Sequence, residues 1–463
     1  MGFKKDFVWG SATASYQIEG AAYEDGKGLS VWDMACQKPG FIKFGHTGDV
    51  ACDHYHRFAE DVAIMKELGL QAYRFSISWP RVLPEGIGKV NGSGLDFYDR
   101  LVDELLKNKI IPYITIFHWD YPYELYKRGG WLNPESPDWF GEYTKLVVER
   151  LSDRVTHWVT QNEPQCFIGR ALQDGVGAPG LKLGFKDILL ASHHSLLGHG
   201  KSVQAIRATA KQYPIIGYVP VGITYIPESN SKADIEAART EMFSVTEKNV
   251  WSNSWWMDPV FLGKYPEDGI NLFEEDLPEI GPDDMKTIFQ PIDFFGTNIY
   301  NGEMMRMGKH GKPEKVKMAM GFARTAFNWP VTPESLYWGP KFFYERYGKP
   351  IIIAENGLSN TDWVSLDGKV HDPQRIDFLT RYIRQFQKAS EDGVEAKGYF
   401  CWSLMDNFEW GQGYNERFGL VYVDFASQKR TIKDSGIWYQ SVIETNGNNL
   451  LNNRIEDGKT TRK

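Results

Sequence analysis

The chain has 463 residues, of which 42% are hydrophobic and 24% are charged, ordinary values for a folded protein with a sizeable core. Its formal net charge of −8 argues against nucleic acid or an anionic membrane surface as a partner. The length suits several small domains or one large barrel with insertions. Aromatic residues make up 14% of the chain, including 16 Trp, which is typical of a carbohydrate site but also of a large core.

The four cysteines, Cys36, Cys52, Cys166 and Cys401, form no CxxC pair. In a chain of this size we therefore expect buried free thiols in a reducing compartment. No long apolar run follows the first residues, and no apolar run reaches transmembrane length. These features predict a cytoplasmic protein with no membrane partner.

Strand and helix patterns alternate along the first half of the chain. Strands are predicted over residues 7–17, 72–79, 110–119 and 155–160, and helices over residues 61–70, 95–107 and 139–151.

The alternation continues in the second half, where residues 228–290 hold further helical pieces. Helices are predicted over residues 188–210, 336–347 and 376–389, and strands over residues 215–226, 292–300, 351–356 and 396–404. The strand at 351–356 begins with three isoleucines, a composition typical of a strand buried on both faces.

Eight strands separated by helices predict parallel pairing and a closed barrel. We expect an α/β protein with a single (β/α)8 TIM barrel, and with loop insertions at its C-terminal face. No linker or shift in composition divides the chain. The predicted catalytic domain spans residues 1–445, and residues 446–463 form a polar C-terminal tail that we expect to be frayed.

The strand ends carry residues suited to chemistry. In a barrel of this type all C-terminal strand ends face one mouth, so these side chains should converge there. Six strands finish on such residues and a seventh carries an arginine: Gln17, Arg74, His118, Asn162 with Glu163, Asn298 with Tyr300, Glu355, and Trp402.

Glu163 and Glu355 are the central pair of candidates. Hydrolysis of a glycosidic bond needs an acid that protonates the leaving oxygen, and a carboxylate that attacks or stabilises the anomeric centre. Two acids on the fourth and seventh strands supply both groups. The alternative is that each is a salt-bridged surface acid, the usual fate of a glutamate, and spacing alone leaves that alternative open.

Along nearly its whole length the chain resembles the family-one glycoside hydrolases of the β-glucosidase type. Residues 160–164 (TQNEP) resemble the acid/base motif of that family, although Gln161 replaces an apolar residue. Residues 354–357 (AENG) resemble its nucleophile motif, with Ala354 in place of Thr. The other matching segments are residues 7–10, 17–20, 73–81, 117–119, 402–410 and 417–420.

This resemblance implies that Glu355 is the nucleophile and Glu163 the general acid/base, with retention of anomeric configuration. Retention requires carboxyl groups about 5 Å apart, against roughly 6.5–9.5 Å for inversion. Arg74 and the Tyr300 hydroxyl are expected to support the ionised Glu355. Glu163, desolvated and close to that charge, is expected to keep its proton near neutral pH. Asn298 is a further supporting residue.

The same resemblance implies a set of sugar-binding residues. Trp402 would stack under the ring, and Asn162 would bond the 2-hydroxyl. Trp329 would line the aglycone side of the site, although the residues before it, 326–328, depart from the family pattern. The remaining expected contacts to sugar hydroxyls come from Gln17, His118, Glu409 and Trp410.

Other interpretations stay open at this stage. Trp402 and Trp410 also fit core aromatics, His118 a strand histidine, and Arg74 a simple ion-pair partner. A carboxylate at Glu409 suits neutral hydroxyls and would repel a 6-phosphate. The histidines at 54, 56, 193, 194 and 199 lack the ligand spacing of a metal site, so no metal or cofactor is expected.

The sequence thus predicts a retaining exo-β-glucosidase that acts on small β-glucosides or cello-oligosaccharides, with additional activity on galactosides and fucosides. A transglycosidase with the same chemistry is one alternative, because Gln161 and the flank of Trp329 are placed near the acceptor side. A non-catalytic sugar-binding homologue is the other, and the presence of both acids argues against it. The oligomeric state is not predicted.

Overall fold

The computed structural model of the chain describes residues 2–451. Within them, eight parallel strands close into a barrel, in which the first strand pairs with both the second and the eighth. The predicted (β/α)8 TIM barrel is therefore confirmed. In chain order, the barrel strands are Val8–Ala12, Ala72–Ser76, Ile111–Phe117, His157–Asn162, Ile215–Val219, Phe294–Asn298, Ile351–Asn356 and Ala396–Trp402.

Helices connect the strands and surround the barrel. The α-helices are Ser15–Ile18, Val31–Cys36, His54–Glu67, Trp79–Val82, Gly92–Lys107, Tyr123–Lys127, Ser136–Leu151, Phe185–Thr209, Lys232–Phe243, Asn253–Leu262, Glu267–Phe273, Asp284–Ile288, Ser335–Tyr347, Pro373–Glu391 and Asp434–Glu444. Shorter 3-10 turns are Lys43–Gly45, Gly130–Leu132, Glu274–Asp276, Trp410–Gln412 and Asn448–Leu451, and Gln165–Gln173 is a π-helix.

Two small sheets lie outside the barrel, in the connections that follow its strands. One is three-stranded, and the other is an antiparallel pair. Their strands are Thr224–Pro227, Gly302–Met307 and Pro313–Lys315 in the first, and Val421–Asp424 and Lys429–Ile432 in the second.

Two of the predicted strands differ from the structure. The segment 215–226 is not one strand, because the barrel strand stops at Val219, before Pro220, and Thr224–Pro227 joins the outer three-stranded sheet. Proline has no amide hydrogen to donate to a strand ladder, which accounts for the break. The first strand ends at Ala12, so Gln17 lies in a short helix beyond the strand rather than at its end.

Several long helices begin about a turn before their predicted starts, for example Gly92–Lys107 and Phe185–Thr209. Their first turns are mostly polar or exposed, so apolar periodicity does not mark them.

The predicted tail boundary at residue 446 is too early. Asn446 accepts a hydrogen bond from the Trp9 indole at 2.9 Å and donates to the Phe3 carbonyl at 2.7 Å. Leu450 is buried, so these residues belong to the fold because they cover the N-terminal end of the barrel. Residues 452–463 lie outside the described part of the chain.

All four cysteines are buried and free, which confirms the expectation of buried free thiols. Among residues 2–451 there is no helix that is both long and apolar enough to cross a membrane.

A buried ion network joins the segments that follow the seventh and eighth strands. The Lys433 ammonium donates to Asp362 and to Asp406, each at 2.6 Å, and all three side chains are almost fully buried. Arg417 contacts the second carboxylate oxygen of Asp406 at 2.6 Å. The network fixes the backbone three residues before Glu409, and thereby helps to position the cleft.

We expect Lys433→Met to lower the free energy of unfolding by about 3–5 kcal/mol, because it leaves two buried carboxylates short of a cation. Equilibrium unfolding in urea measures this loss. The control is Lys397→Met, which breaks the half-exposed pair with Asp6 and is expected to cost less than about 1 kcal/mol. Equal losses in the two variants would contradict a structural role for the network.

Candidate active site

A cleft of about 350 Å³ opens at the C-terminal ends of the barrel strands. Nearly all of the predicted residues meet there. The predicted residues that line it are His118, Glu163, Asn298, Tyr300, Trp329, Glu355, Trp402, Glu409 and Trp410. The other three, Gln17, Arg74 and Asn162, hydrogen-bond to residues of this lining.

Glu355 is the last residue but one of the seventh strand and is almost fully buried. One carboxylate oxygen accepts from the Arg74 guanidinium and the other from the Tyr300 hydroxyl, both at 2.8 Å. Burial raises the pKa of Glu355, whereas the guanidinium of Arg74 and the hydroxyl of Tyr300 lower it. The expected contacts of Glu355 are thus present.

Glu163 follows the fourth strand and faces the same cleft. Its carboxylate accepts a hydrogen bond from the Asn298 amide at 2.9 Å. Burial raises its pKa, and a neutral amide compensates a negative charge less than the guanidinium beside Glu355 does. Of this pair, Glu355 is therefore the first to ionise, and Glu163 is the one that retains a proton.

The backbone around the cleft adopts unusual conformations. Glu163 has a φ of 49°, Trp119 of 84° and Trp410 of 47°, all in the left-handed region that favours glycine. Such conformations persist only where the surroundings enforce them, and they cluster at functional sites. All three residues line this cleft.

We expect Tyr300→Phe to move the acidic limb of the pH profile of kcat/KM to higher pH. The hydroxyl lowers the pKa of Glu355, so its removal raises that pKa, and a higher pH is needed to ionise the expected nucleophile. We also expect kcat to fall about tenfold, the effect of one lost hydrogen bond to a charged group. A limb that does not move would show that Tyr300 has no influence on the ionisation of Glu355.

Asn162 organises the polar floor of the cleft. Its side-chain oxygen accepts from Arg74 at 2.6 Å and from Asn298 at 3.1 Å, and its amide nitrogen lies 3.0 Å from Nε2 of His118. The amide donates to Nε2, so the imidazole is neutral and carries its hydrogen on Nδ1. Burial and Arg74 lower the pKa of His118, which agrees with this neutral form.

Three buried polar atoms at the site have no protein partner within residues 2–451. They are Nδ1 of His118, Oε1 of Gln17 and Oδ1 of Asn298. Buried polar groups are normally satisfied, so unpaired ones mark places where a ligand or water binds. A donor and two acceptors suit the hydroxyl groups of a sugar.

Aromatic rings form the walls. Trp402 lies beside His118 with ring centroids 5.9 Å apart, and Trp410 packs on Trp119 at 4.5 Å. Trp329, whose flank departs from the family pattern, packs on Tyr300 at 5.2 Å and lines the same cleft. Their positions on the cleft favour the sugar-facing interpretation over that of core aromatics.

Glu409 accepts a hydrogen bond from the Gln17 amide at 3.3 Å. Burial and the charge of Glu355 raise its pKa to about 8, so it holds a proton at neutral pH. A protonated carboxyl offers a donor and an acceptor to sugar hydroxyls. It also repels a phosphate less than the sequence-based argument assumes.

Gln161 lies away from the cleft. Its amide donates to the Ser195 carbonyl at 2.9 Å, on the helix Phe185–Thr209. The expectation that Gln161 lies near the acceptor side for transglycosylation is therefore wrong. Ala354 is buried, and its carbonyl lies 3.3 Å from Nη1 of Arg74. Nothing in the structure explains the alanine at that position.

The histidines outside the cleft have structural partners. Those at 193, 194 and 199 contact, respectively, Asp284, the Trp131 carbonyl and Thr160. The side chains described here contain no cluster of three or more His, Cys, Asp or Glu that could hold a metal ion.

Sequence reasoning missed several residues of the lining. Trp119 and Phe418 lie in segments that match the family, residues 117–119 and 417–420, so the resemblance could have indicated them. Others belong to the π-helix or to loops, for which no periodic pattern exists. Among them are Cys166, Arg170, Trp251 and Phe327.

Comparison with known proteins agrees with this geometry. The sequence model of Glycosyl hydrolase family 1 matches residues 1–448. The chain belongs to glycosyl hydrolase family 1. This family-1 chain is 47% identical over 449 residues to a 1,4-beta-D-glucan glucohydrolase of Thermotoga neapolitana, covering 96% of this chain and 99% of that one.

Two proteins of Thermotoga maritima are also similar. Beta-glucosidase A is 45% identical over 449 residues, which cover 96% of this family-1 hydrolase and 98% of the relative. The solved structure of a beta-glucosidase in complex with glucoimidazole has a TM-score of 0.88 at 45% identity, covering 96% and 99% of the two chains. The protein is thus a glycoside hydrolase with the barrel of that family.

Proposed function

We propose that the protein is a retaining exo-β-glucosidase that releases terminal non-reducing β-D-glucosyl residues from small β-glucosides or cello-oligosaccharides. The observation that carries the proposal is the pair of buried carboxyl groups in one cleft, one held by a guanidinium and a phenol and the other by a neutral amide. Relatives named for action on β-glucosides and β-D-glucans support the substrate class.

In the first step, the Glu355 carboxylate attacks the anomeric carbon while Glu163 donates its proton to the departing oxygen. Arg74 and Tyr300 hold the attacking carboxylate in place. The products are a glycosyl ester of Glu355, the free alcohol and the Glu163 carboxylate, so charge and protons balance.

In the second step, formation of the ester removes the negative charge of Glu355. The guanidinium of Arg74 then lacks its anion, and the Glu163 carboxylate, which gave up its proton in the first step, stays ionised more readily. Glu163 acts as a base on water, which attacks the anomeric carbon and releases Glu355. Two displacements at the same carbon give net retention.

The exo preference is part of the proposal. The Gln17 amide donates to Asn407 at 3.0 Å and to the Phe408 carbonyl at 2.9 Å, and these bonds hold it beside Glu409, where both side chains would contact the hydroxyls of one terminal sugar. The expected activity on galactosides and fucosides remains part of the proposal. One of the two observations that favoured transglycosylation does not hold, because Gln161 lies away from the cleft.

Initial rates on a panel of nitrophenyl α- and β-glycosides, with and without 6-phosphate, test the substrate class. Proton NMR of the first product tests stereochemistry. We expect turnover of the neutral β-glucoside and β-glucose as the first anomer. A preference for α-glucosides, or α-glucose as the first product, would refute the proposal, and binding without turnover would revive the non-catalytic alternative.

A further inference from the structure

Arg170 presents a free guanidinium to the cleft. The residue is exposed, and it lines the catalytic cleft together with Glu163, Trp251 and Phe327. It also lines an adjoining recess formed with Trp119 and other residues. Within residues 2–451 its side chain has no hydrogen-bond or ion-pair partner, so its binding capacity is unused.

The backbone of Arg170 is held firmly although its side chain is free. It lies in the π-helix Gln165–Gln173, and its carbonyl accepts from the amides of Val176 at 2.9 Å and Gly177 at 3.0 Å. The Gln165 side chain fixes the start of this helix by two hydrogen bonds to the Val221 backbone, at 3.1 and 3.2 Å. A fixed backbone keeps the guanidinium at the cleft.

The position of the π-helix places Arg170 on the leaving-group side. Glu163 must lie next to the departing oxygen to protonate it, and the π-helix begins two residues later. Trp251 lies against the same helix, where its indole donates to Asp174 at 3.2 Å. The aglycone would therefore lie along the side of the cleft that Arg170 lines together with the aromatic residues Trp251, Phe327 and Trp329.

The positive charge of Arg170 influences two acids of the site. It lowers the pKa values of Glu163 and Glu409, although burial raises both pKa values by more. Glu303, another carboxylate of this lining, contacts Lys315 instead. An arginine without an anion, beside aromatic walls, is suited to a flat ligand that carries a carboxylate, which a guanidinium binds in a bidentate manner.

We propose that Arg170 binds an anionic group on the aglycone, so that the enzyme favours aryl β-glucosides that carry a carboxylate on the ring. The proposal rests on the proposed β-glucosidase function and extends it to the leaving group. Arg170 would act as a specificity-determining residue, and the chemistry at Glu163 and Glu355 would not change.

The test compares carboxyphenyl β-glucosides, with the carboxylate ortho, meta or para, with their neutral methyl esters. The measured quantity is the ratio of kcat/KM for acid and ester, which cancels effects common to both. We expect Arg170→Gln to lower this ratio about tenfold for the best isomer, Arg170→Lys to retain part of it, and added salt to reduce it in the parent enzyme. Arg128→Gln removes the same charge outside the cleft and should leave the ratio unchanged.

The outcomes separate the inference from the proposed function. Absence of turnover of every neutral β-glucoside by the parent enzyme would refute the β-glucosidase function itself. An unchanged acid-to-ester ratio in Arg170→Gln, or an equal loss on acid and ester, would refute the anion site and leave that function standing. A preference for glucoside 6-phosphates that disappears in Arg170→Gln would place the anion on the sugar and also overturn the inference.

Discussion

Glu355→Gly is expected to lower kcat on an aryl β-glucoside by about 10⁴-fold or more, because loss of one member of a catalytic unit removes most of its rate enhancement. The glycine leaves a space beneath the anomeric carbon, next to Arg74. A small anion such as azide fits there and attacks from the face that the carboxylate used. We therefore expect azide to restore turnover and to yield the α-glucosyl azide, identified by NMR.

The matched control is Glu395→Gly. Glu395 immediately precedes the eighth strand, so it lies at the opposite end of the barrel from the cleft. This variant is expected to keep the parent activity. If Glu355→Gly retains activity without azide, or if azide yields the β-azide, Glu355 is not the nucleophile.

Glu163→Gln is expected to produce a loss that depends on the leaving group. General acid catalysis contributes about 10²–10⁴-fold, and it matters most when the departing alcohol is a poor leaving group. Cellobiose and alkyl glucosides should show the full loss in kcat/KM, whereas dinitrophenyl glucoside should show little. The amide that replaces the Glu163 carboxyl cannot titrate, so the basic limb of the pH profile should disappear.

This pH effect has a definite sign. Burial raises the pKa of Glu163, so the protonated acid persists to higher pH than for an ordinary glutamate, and activity falls as that proton is lost. Initial rates across a series of aryl and alkyl glucosides check both effects. An equal loss for every leaving group, or a retained basic limb, would assign the proton to another residue.

The barrel and the acid pair were accessible from the sequence because they depend on local patterns. Alternation of strand and helix fixes the direction of every barrel strand, and direction alone brings Glu163 and Glu355 to one mouth. Their wide separation along the chain does not matter for this argument. Strand direction also places Arg74 and Tyr300 at that mouth, and the resemblance to the family implied their support of Glu355.

Other features depend on backbone details that periodicity does not encode. Pro220 ends the fifth barrel strand, and the polar first turns of the helices carry no apolar signal. Gln161 lies within the acid/base motif, but strand alternation turns its side chain toward a helix. Arg170 reaches the cleft from a π-helix, a rare element that sequence patterns do not predict.

The central claim is that Glu355 forms the covalent bond to the sugar and that Glu163 serves it as acid and base. The most direct measurement is inactivation with an activated 2-deoxy-2-fluoro-β-glucoside, followed by mass spectrometry of the digested protein. The fluorine slows both formation and hydrolysis of the glycosyl ester. The activated leaving group allows the ester to form without a proton from Glu163. The account predicts one fluoroglucosyl group, attached to the peptide at Glu355, and a label on any other residue would contradict it.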